Sequence, residues 1–298
     1  MVNTDFVKAK GYDIAALAEG IGLPEEYFDE AAPVCEAILK DCPTEFETLK
    51  KDMRNREHYD IISEKLGLRA DLVWLAIYML LAVDAKKIYE AKGHSERIYF
   101  DSMREITIWS KVCMKDWGHV GIHDQLDWLT RFYSNDLVRL GRLEYEIIPC
   151  HNNLVWEKHG VSVKGGDPVI NIHIPEDGGL KDELVQDSFK QAYRYFGCSG
   201  KAVFICSTWL LWPGNREFMQ ESSNILKFMD NFDIIHRDDA QNHRDLWRVF
   251  GKRESFIPAE LPRDTELQRR FADYLATHDM ISGRGCGFFA HDGENLFN

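Results

Sequence analysis

The stretch NIHIPEDGGLKDEL, residues 171–184, combines groups that can bind an anion with a spacing that would place them at a helix terminus. Its alternating isoleucines predict a strand, the glycine pair predicts a tight turn, and a helical apolar period begins soon after. The backbone N–H groups of Gly178, Gly179 and Leu180 would then stand at a helix N-terminus, where such groups bind phosphate. The same spacing also fits a turn without a ligand, because a glycine pair is a weak motif.

Histidines elsewhere give a weaker indication of metal chemistry. His119 and His123 have the i, i+4 spacing of two helical metal ligands. Gly118 and Gly121 argue against a helix there, and the sequence shows no third ligand nearby, so we expect no metal. The histidines and acids clustered in residues 236–245 are typical of a solvated loop.

The sequence gives little support for a catalytic cysteine or serine nucleophile. The seven cysteines are odd in number and scattered, without a C-x-x-C motif, which is typical of reduced thiols. Cys206 lies in an apolar segment with no neighbouring histidine, so we interpret it as a packing residue. No G-x-S-x-G motif occurs, which argues against a serine hydrolase of that type.

Composition limits the partners of this chain. Its 298 residues carry 36 basic and 49 acidic side chains, a formal charge of −13, which opposes general binding to nucleic acid or anionic lipid. The beginning of the chain lacks a signal-peptide pattern, and no apolar run approaches the length of a membrane span. The most apolar stretch, Trp74 to Val83, is bracketed by acids and predicts a buried helix. We therefore expect a cytoplasmic protein that binds neither nucleic acid nor membrane.

The elements that would position these residues change character along the chain. Residues 1–135 carry helical periods with almost no strand signal, so we predict an all-helical N-terminal domain. Within it, Gly93 is expected to end a long helix, and Thr44 with Glu47 matches a capping box.

Residues 136–298 predict a second domain in which strands and helices alternate. A helix is expected from about Lys181 to Phe196, a buried strand over Ala202 to Leu211, and one amphipathic helix over Asn215 to Phe228. If Val169 to Ile174 is a strand, two faces follow from its period of two. One face carries Ile170, Ile172 and Ile174, and the other carries Val169, Asn171 and His173.

Four stretches of the second domain carry a family resemblance: RLGRLEYE, VINIHIPEDGGLKDELVQDSFKQAYRYF, VFICSTWLLWP and ESSNILKFMDNFDI. They cover much of residues 139–234 and resemble the GNAT-like acyltransferase family, whose members pair a helical N-terminal domain with a GNAT-like C-terminal domain. The resemblance implies an α+β fold, with a mixed β-sheet flanked by helices after the helical domain.

The resemblance also implies a site for coenzyme A. In GNAT folds a loop after a strand holds the pyrophosphate through its amides, and the next strand splays away to admit the pantetheine arm. On this basis acetyl-CoA or another acyl-CoA would bind at Ile172, Ile174, Gly178, Gly179 and Leu180. The usual loop has the pattern Arg/Gln-x-x-Gly-x-Gly/Ala, whereas this chain has Pro-Glu-Asp-Gly-Gly-Leu, with two acids and no arginine.

Acyl transfer to an amine requires a base for the amine and a proton for the thiolate. The resemblance points to His173 on the central strand as the base, and an unperturbed histidine pKa of about 6.5 suits that role. The alternative is a core histidine bonded to backbone. The hydroxyl of Ser207 could face the gap, or it could form its hydrogen bonds within the sheet. The helix after the splayed strand lacks a tyrosine acid, which leaves Asn224 as a polar candidate.

The favoured hypothesis is an acyl-CoA-dependent N-acyltransferase acting on an unidentified small-molecule amine. The acidic balance is compatible with a cationic acceptor. The competing hypothesis is a catalytically degenerate GNAT-like module that binds a metabolite or a protein, favoured by Glu176 and Asp177 in the loop. A hydrolase or metal enzyme centred on the histidines is a third, weaker alternative.

Overall fold

The computed structural model describes residues 4–151 and 153–298 and divides the chain into two compact units, Met1–Arg139 and Leu140–Asn298. The first unit is helical, and the second is a mixed sheet with helices, so the predicted α+β class is confirmed. The predicted division into folding domains at 135/136 stays a prediction, because compactness alone does not show that either unit folds independently.

Apolar periodicity organises the helical unit around one long helix. That helix, α6, spans Ala70–Ala91 and buries residues on all its sides, as the apolar stretch from Trp74 predicted. It is followed by Gly93 in the left-handed conformation, with φ of 73°. The helices of this unit are α1 (Asp5–Ala9), α2 (Ile14–Ile21), α3 (Glu25–Asp41), α4 (Pro43–Lys51), α5 (Arg56–Leu66), α6, α7 (Glu96–Met103), α8 (Glu105–Trp117) and α9 (Leu126–Tyr133).

The predicted capping box at Thr44 is wrong. Helix α4 begins two residues earlier than that capping box requires, with Pro43 as its first residue and Cys42 at the N-cap position. Proline is suited to that position because its φ is already helical and it has no N–H to satisfy. The hydroxyl of Thr48 donates to the carbonyl of Thr44 at 2.9 Å, which places Thr44 inside the helix.

Membrane-spanning potential is limited in the described residues. No single helix there combines the length and apolar character needed to cross a membrane, and α5 with α6 meets those criteria only as a pair bent by 116°.

The second unit is built on a mixed sheet with strand order β1-β2-β5-β6-β8-β7, in which β9 also pairs with β8, and on a separate β3–β4 hairpin. Its strands are β1 (Val138–Leu140, at the boundary of the two units), β2 (Leu143–Pro149), β3 (Val155–Lys158), β4 (Val161–Lys164), β5 (Pro168–His173), β6 (Ala202–Thr208), β7 (Asp233–Gln241), β8 (Ile281–His291) and β9 (Leu296–Phe297). Its helices are α10 (Asp182–Tyr195), α11 (Asn215–Phe218), α12 (Asn224–Met229), α13 (Trp247–Phe250) and α14 (Glu266–Thr277), with short 3-10 turns at Trp209–Leu211 and Pro258–Glu260.

The two faces of β5 have different environments, as its alternation predicted. On one face, Phe204 of β6 forms an aromatic cluster with Phe189 of α10 and Phe289 of β8, whose ring centroids lie 6.2 and 4.8 Å from its own. On the other face, Val169 belongs to an apolar cluster that includes Trp156 of the β3–β4 hairpin. The hairpin and α10 therefore lie on opposite sides of the sheet.

Three predicted elements have different bounds. Strand β6 ends at Thr208, whose hydroxyl accepts from the amide of Leu210 and turns the chain into a 3-10 helix. The helix predicted over Asn215 to Phe228 is two short helices, α11 and α12. The charged segment 236–245 is not wholly a loop, because residues up to Gln241 form β7 against β8. The apolar residues of DIIHR, 233–237, indicate a short strand there, whereas the exposed polar side chains that follow conceal the rest of this edge strand from apolar-pattern analysis.

Strands β5 and β6 are parallel and share only a short ladder. Their paired residues are Ile170 with Phe204 and Asn171 with Ile205, although both strands continue further. The ladder ends two residues before His173, so the strands diverge toward their C-terminal ends. The loop from β5 to α10 leaves from this open end.

Candidate active site

A buried arginine holds the loop between β5 and α10. Arg142 lies in the turn before β2, and its side chain is 6% exposed. Its guanidinium donates to the carbonyl of Pro175 at 3.2 Å, of Gly178 at 2.9 Å and of Gly179 at 3.1 Å. Three carbonyls of the loop therefore converge on one cation.

This arrangement fixes the direction of the loop amides. In a trans peptide the C=O and the following N–H point in opposite directions, and no cis peptide occurs in the described chain. The N–H groups of Glu176, Gly179 and Leu180 therefore point away from Arg142. They lie just before α10, whose N-cap residue Lys181 makes no side-chain capping bond. The helix dipole adds a positive partial charge at this end.

The two loop acids have arginine partners. Asp177 Oδ1 lies 3.9 Å from Arg142 Nη1, and Glu176 Oε2 lies 3.7 Å from Arg248 Nη1. Opposite charges at these distances offset much of the negative charge that the two carboxylates bring to the loop. The acids therefore do not make the loop unsuitable for an anion.

The glycines leave the loop surface open. A Cβ placed on Gly178 or Gly179 would meet no heavy atom within 4 Å, so neither glycine is needed for close packing. Gly178 has φ of 69°, a conformation that side chains rarely adopt, whereas Gly179 has ordinary backbone geometry. A larger side chain at Gly179 would thus occupy space beside the amides without disturbing the fold.

A polar cluster lies on the β5 face opposite α10. His173 Nε2 is 2.7 Å from Glu146 Oε1, and the Asn171 amide donates to the same oxygen at 3.0 Å. Glu146 is nearly buried, while the His173 side chain is 25% exposed. An ionised Glu146 would accept a hydrogen bond from the N–H group at Nε2 of His173. This bond would fix the orientation of the imidazole ring. Glu144 is paired with His173 across β2 and β5 and is fully buried.

Ser207 stands across the strand gap from His173. The last parallel pair is Asn171 with Ile205, and the next residues on that face are His173 on β5 and Ser207 on β6. Ser207 is exposed, and its carbonyl accepts from Arg284 at 3.4 Å. The geometry therefore brings an imidazole and a hydroxyl to the two sides of one opening.

Both units match models of known domains. Residues 12–135 match the N-acyltransferase N-terminal domain, and residues 137–289 match the GNAT-like C-terminal domain. This chain belongs to the GNAT-like acyltransferase family. It is therefore a transferase enzyme, and the resemblance found in the sequence is confirmed.

Solved structures of acyltransferases have the same fold as this acyltransferase. One in complex with decanoyl-CoA and teicoplanin has a TM-score of 0.69 and 17% identity, over 93% of this chain and 87% of that chain. Another, in complex with CoA and 10C-teicoplanin, has a TM-score of 0.67 and 17% identity over the same shares. A third, in complex with decanoyl-CoA, has a TM-score of 0.68 and 16% identity, over 92% of this chain and 86% of that chain. No curated protein matches the chain.

The acyltransferase places several of the predicted site residues on one face or beside it. His173 and Ser207 share one face, and Gly178 to Leu180 form the loop beside it. Asn224 is the exposed first residue of α12, and no hydrogen bond joins it to His173 or Ser207 within the residues that the structure describes. Its catalytic role stays a prediction from the sequence.

The two isoleucines assigned to cofactor binding have buried or half-buried side chains. Ile172 faces the α10 side, and its carbonyl accepts from the thiol of Cys206 at 3.5 Å. Ile174 follows the end of β5 and is half-buried. A role for Ile172 in the cofactor site would depend on its backbone, and both assignments stay predictions. Burial raises the pKa of the Cys206 thiol, in agreement with its interpretation as a packing residue.

Arg142 and Glu146 are absent from the sequence-based set of site residues. Both lie in RLGRLEYE, where acids alternate along a strand that is otherwise apolar. A carboxylate in a predicted buried strand is a signal for a partner or a function. The partners themselves lie 25 to 37 residues away along the chain, so the segment alone could not identify them.

Proposed function

We propose that this acyltransferase moves an acyl group from an acyl-CoA to the amine of a small-molecule acceptor. The observation that carries the proposal is the opening between β5 and β6, with His173 and Glu146 on one side and Ser207 on the other. This opening adjoins a loop whose amides point away from Arg142. The combination offers an anion site, a base and a hydroxyl within one unit.

The loop would hold the pyrophosphate of the donor. The N–H groups of Gly179 and Leu180, with the N-terminus of α10 behind them, are suitable donors to phosphate oxygens. Similar folds have been solved with decanoyl-CoA and octanoyl-CoA, which supports an acyl-CoA donor. Binding measurements with acetyl-CoA and with longer acyl-CoAs identify the preferred acyl group.

His173 would act as the general base. The acceptor amine loses its proton to His173, directly or through a water, and attacks the thioester carbonyl. Glu146 would hold the imidazole and stabilise the imidazolium that forms. Strand amides at the opening would stabilise the oxyanion of the tetrahedral intermediate. When the C–S bond breaks, the thiolate takes up a proton and His173 gives up the one it accepted, with the Ser207 hydroxyl proposed as the relay between them.

The acceptor is proposed as a small amine-bearing molecule. One enzyme of similar fold was solved with teicoplanin, which supports a small-molecule acceptor class. The formal charge of −13 is compatible with a cationic amine, because an acidic surface attracts it.

The degenerate-module hypothesis loses its main support. It depended on two loop acids with no arginine in the loop, but Arg142 and Arg248 reach those acids from other segments. Arginines distant in sequence thus offset the charge that made the loop unfavourable for coenzyme A.

Calorimetry and turnover together test the proposed function. The full chain would be titrated with acetyl-CoA, octanoyl-CoA and decanoyl-CoA, and then assayed for release of free coenzyme A with a panel of primary amines. We expect heat of binding with at least one donor and amine-dependent thiol release. An absence of binding by every donor at millimolar concentration would contradict the proposal.

A further inference from the structure

The segment after α8 is fastened to the beginning of α6, within the helical unit. The amide of Ile122 donates to the carbonyl of Asp71 at 2.9 Å, and Arg69 donates to the carbonyl of Val120 at 2.5 Å. A Cβ on Gly121 would lie 2.6 Å from the Cβ of Asp71, so only glycine allows this approach. The sequence thus provides a specific fit between this segment and the Asp71 turn of α6.

The fit gathers potential metal ligands around one carboxylate. His119 Nε2 lies 2.7 Å from Asp71 Oδ2, and His123 Nδ1 lies 3.2 Å from Asp71 Oδ1. Cys113, buried on α8, joins them, because the ligand atoms of Asp71, Cys113 and His119 all lie within 4.8 Å of one another. The sequence showed no third ligand for the histidine pair. The fold supplies two further ligands, Asp71 and Cys113, which both precede the histidine pair in the sequence.

The donor set and spacing suit zinc. A thiolate, an imidazole nitrogen and a carboxylate oxygen are all common zinc ligands. With Zn–S near 2.3 Å and Zn–N or Zn–O near 2.0–2.2 Å, tetrahedral neighbours stand about 3.3–3.7 Å apart. The contact of 2.7 Å between His119 and Asp71 and the 4.8 Å limit on all spacings within the cluster bracket those separations. Mixed sulfur and nitrogen ligation also disfavours Mg²⁺ and Ca²⁺, which prefer oxygen.

We propose that Asp71, Cys113 and His119 form a zinc site in the helical unit. His123, on the second oxygen of Asp71, acts as a positioning residue that orients the carboxylate, as partners beyond the ligands commonly do. Three protein ligands leave a tetrahedral position for water. Binding releases the thiol proton of Cys113 to solvent. This site lies outside the unit that carries the proposed acyl transfer, and it can be tested without any activity assay.

Cobalt provides the direct probe, because a thiolate bound to Co²⁺ gives a near-ultraviolet charge-transfer band. The full chain would be freed of metal with a chelator, titrated with Co²⁺ and then challenged with Zn²⁺. We expect one equivalent of Co²⁺ to produce the band and one equivalent of Zn²⁺ to displace it. Binding without a stoichiometric end point, or without the band, would overturn the proposal.

Two variants assign the ligands. Cys113→Ser should abolish the band, and His119→Ala should weaken Co²⁺ binding at least about tenfold. His119 is 29% exposed, so its replacement tests the site even if the buried Cys113 variant folds poorly. Cys198→Ser and His151→Ala are matched controls, because both residues lie in the other unit. These variants should bind Co²⁺ as the parent does. An unchanged affinity in His119→Ala would mean that the cluster is held by hydrogen bonds alone.

Discussion

His173 Nε2 lies 2.7 Å from Glu146 Oε1, although the two residues are not direct partners in the sheet. The register pairs His173 with Glu144 and Glu146 with Asn171, so the imidazole reaches diagonally across β2 and β5. A diagonal contact of this kind depends on the antiparallel register, and a slip of one residue would send His173 to the α10 face. The strand pairing thus sets the orientation of the proposed base.

Removal of the imidazole should affect turnover more than binding. We expect His173→Ala to lower kcat by about 10²-fold or more, in the range for a lost general base, with acyl-CoA affinity nearly unchanged. Steady-state kinetics across about pH 6 to 9 with calorimetry measure both. Equal turnover in parent and variant would remove His173 from the mechanism.

Glu146→Gln separates orientation from proton transfer. The variant keeps a hydrogen-bonding oxygen and the shape of the side chain, but it loses the charge that stabilises the imidazolium. We expect a smaller loss of kcat than in His173→Ala, and little further loss when both changes are combined, because residues that act as a unit are not additive. Full additivity in this double-mutant cycle would contradict coupled action.

Arg142 should support both stability and donor binding. Arg142→Ala leaves three loop carbonyls and Asp177 without the guanidinium, which we expect to cost roughly 3 kcal/mol in the free energy of unfolding. Arg142→Lys should recover only part of this, since an ammonium cannot reproduce the fork of donors. Urea unfolding and acyl-CoA calorimetry check the two effects. Arg216→Ala is the control, because Arg216 forms an exposed pair with Asp230 and should cost under about 1 kcal/mol.

Gly179 gives a steric test of the pyrophosphate assignment. Since a Cβ there meets nothing within 4 Å, Gly179→Ala should bind acyl-CoA almost normally, while Gly179→Trp should bind at least about tenfold more weakly, a loss near 1.4 kcal/mol. Both variants should melt near the parent temperature. Unchanged affinity in Gly179→Trp would exclude the loop surface as the donor site.

His291 should make stability depend on mild acid. Burial lowers the pKa of His291, and its Nδ1 accepts from the amide of Gly293 at 2.9 Å, a bond that protonation would break. The unfolded chain therefore binds a proton more readily, and stability falls as the pH drops below the ordinary value of about 6.5, by up to about 1.4 kcal/mol per pH unit. His291→Asn retains an acceptor without titrating. Urea unfolding at several pH values should show a flatter acid limb for the variant, and identical limbs would assign the effect to other groups.

Local sequence patterns determined many of the secondary-structure elements of this protein. Apolar spacing predicted α6, α10 and β5, because burial of one stripe or one face imposes a helical or strand period on nearby residues. The glycine loop was located for the same reason, since it lies between two such periods. The motifs of the second unit were enough to identify the family. The stretch DIIHR indicated the start of β7, but its exposed second half was not predicted as strand, because those residues carry no apolar alternation.

The tertiary structure alone decided which residues face each other. Arg142 meets Gly179 across 37 positions, His173 meets Glu146 across 27, and His119 meets Asp71 across 48. Each of these contacts joins segments that are separate in the sequence, and each depends on strand register or helix packing. A one-dimensional pattern fixes which side of an element is buried, whereas the partner across that interface is set only when all the elements pack together.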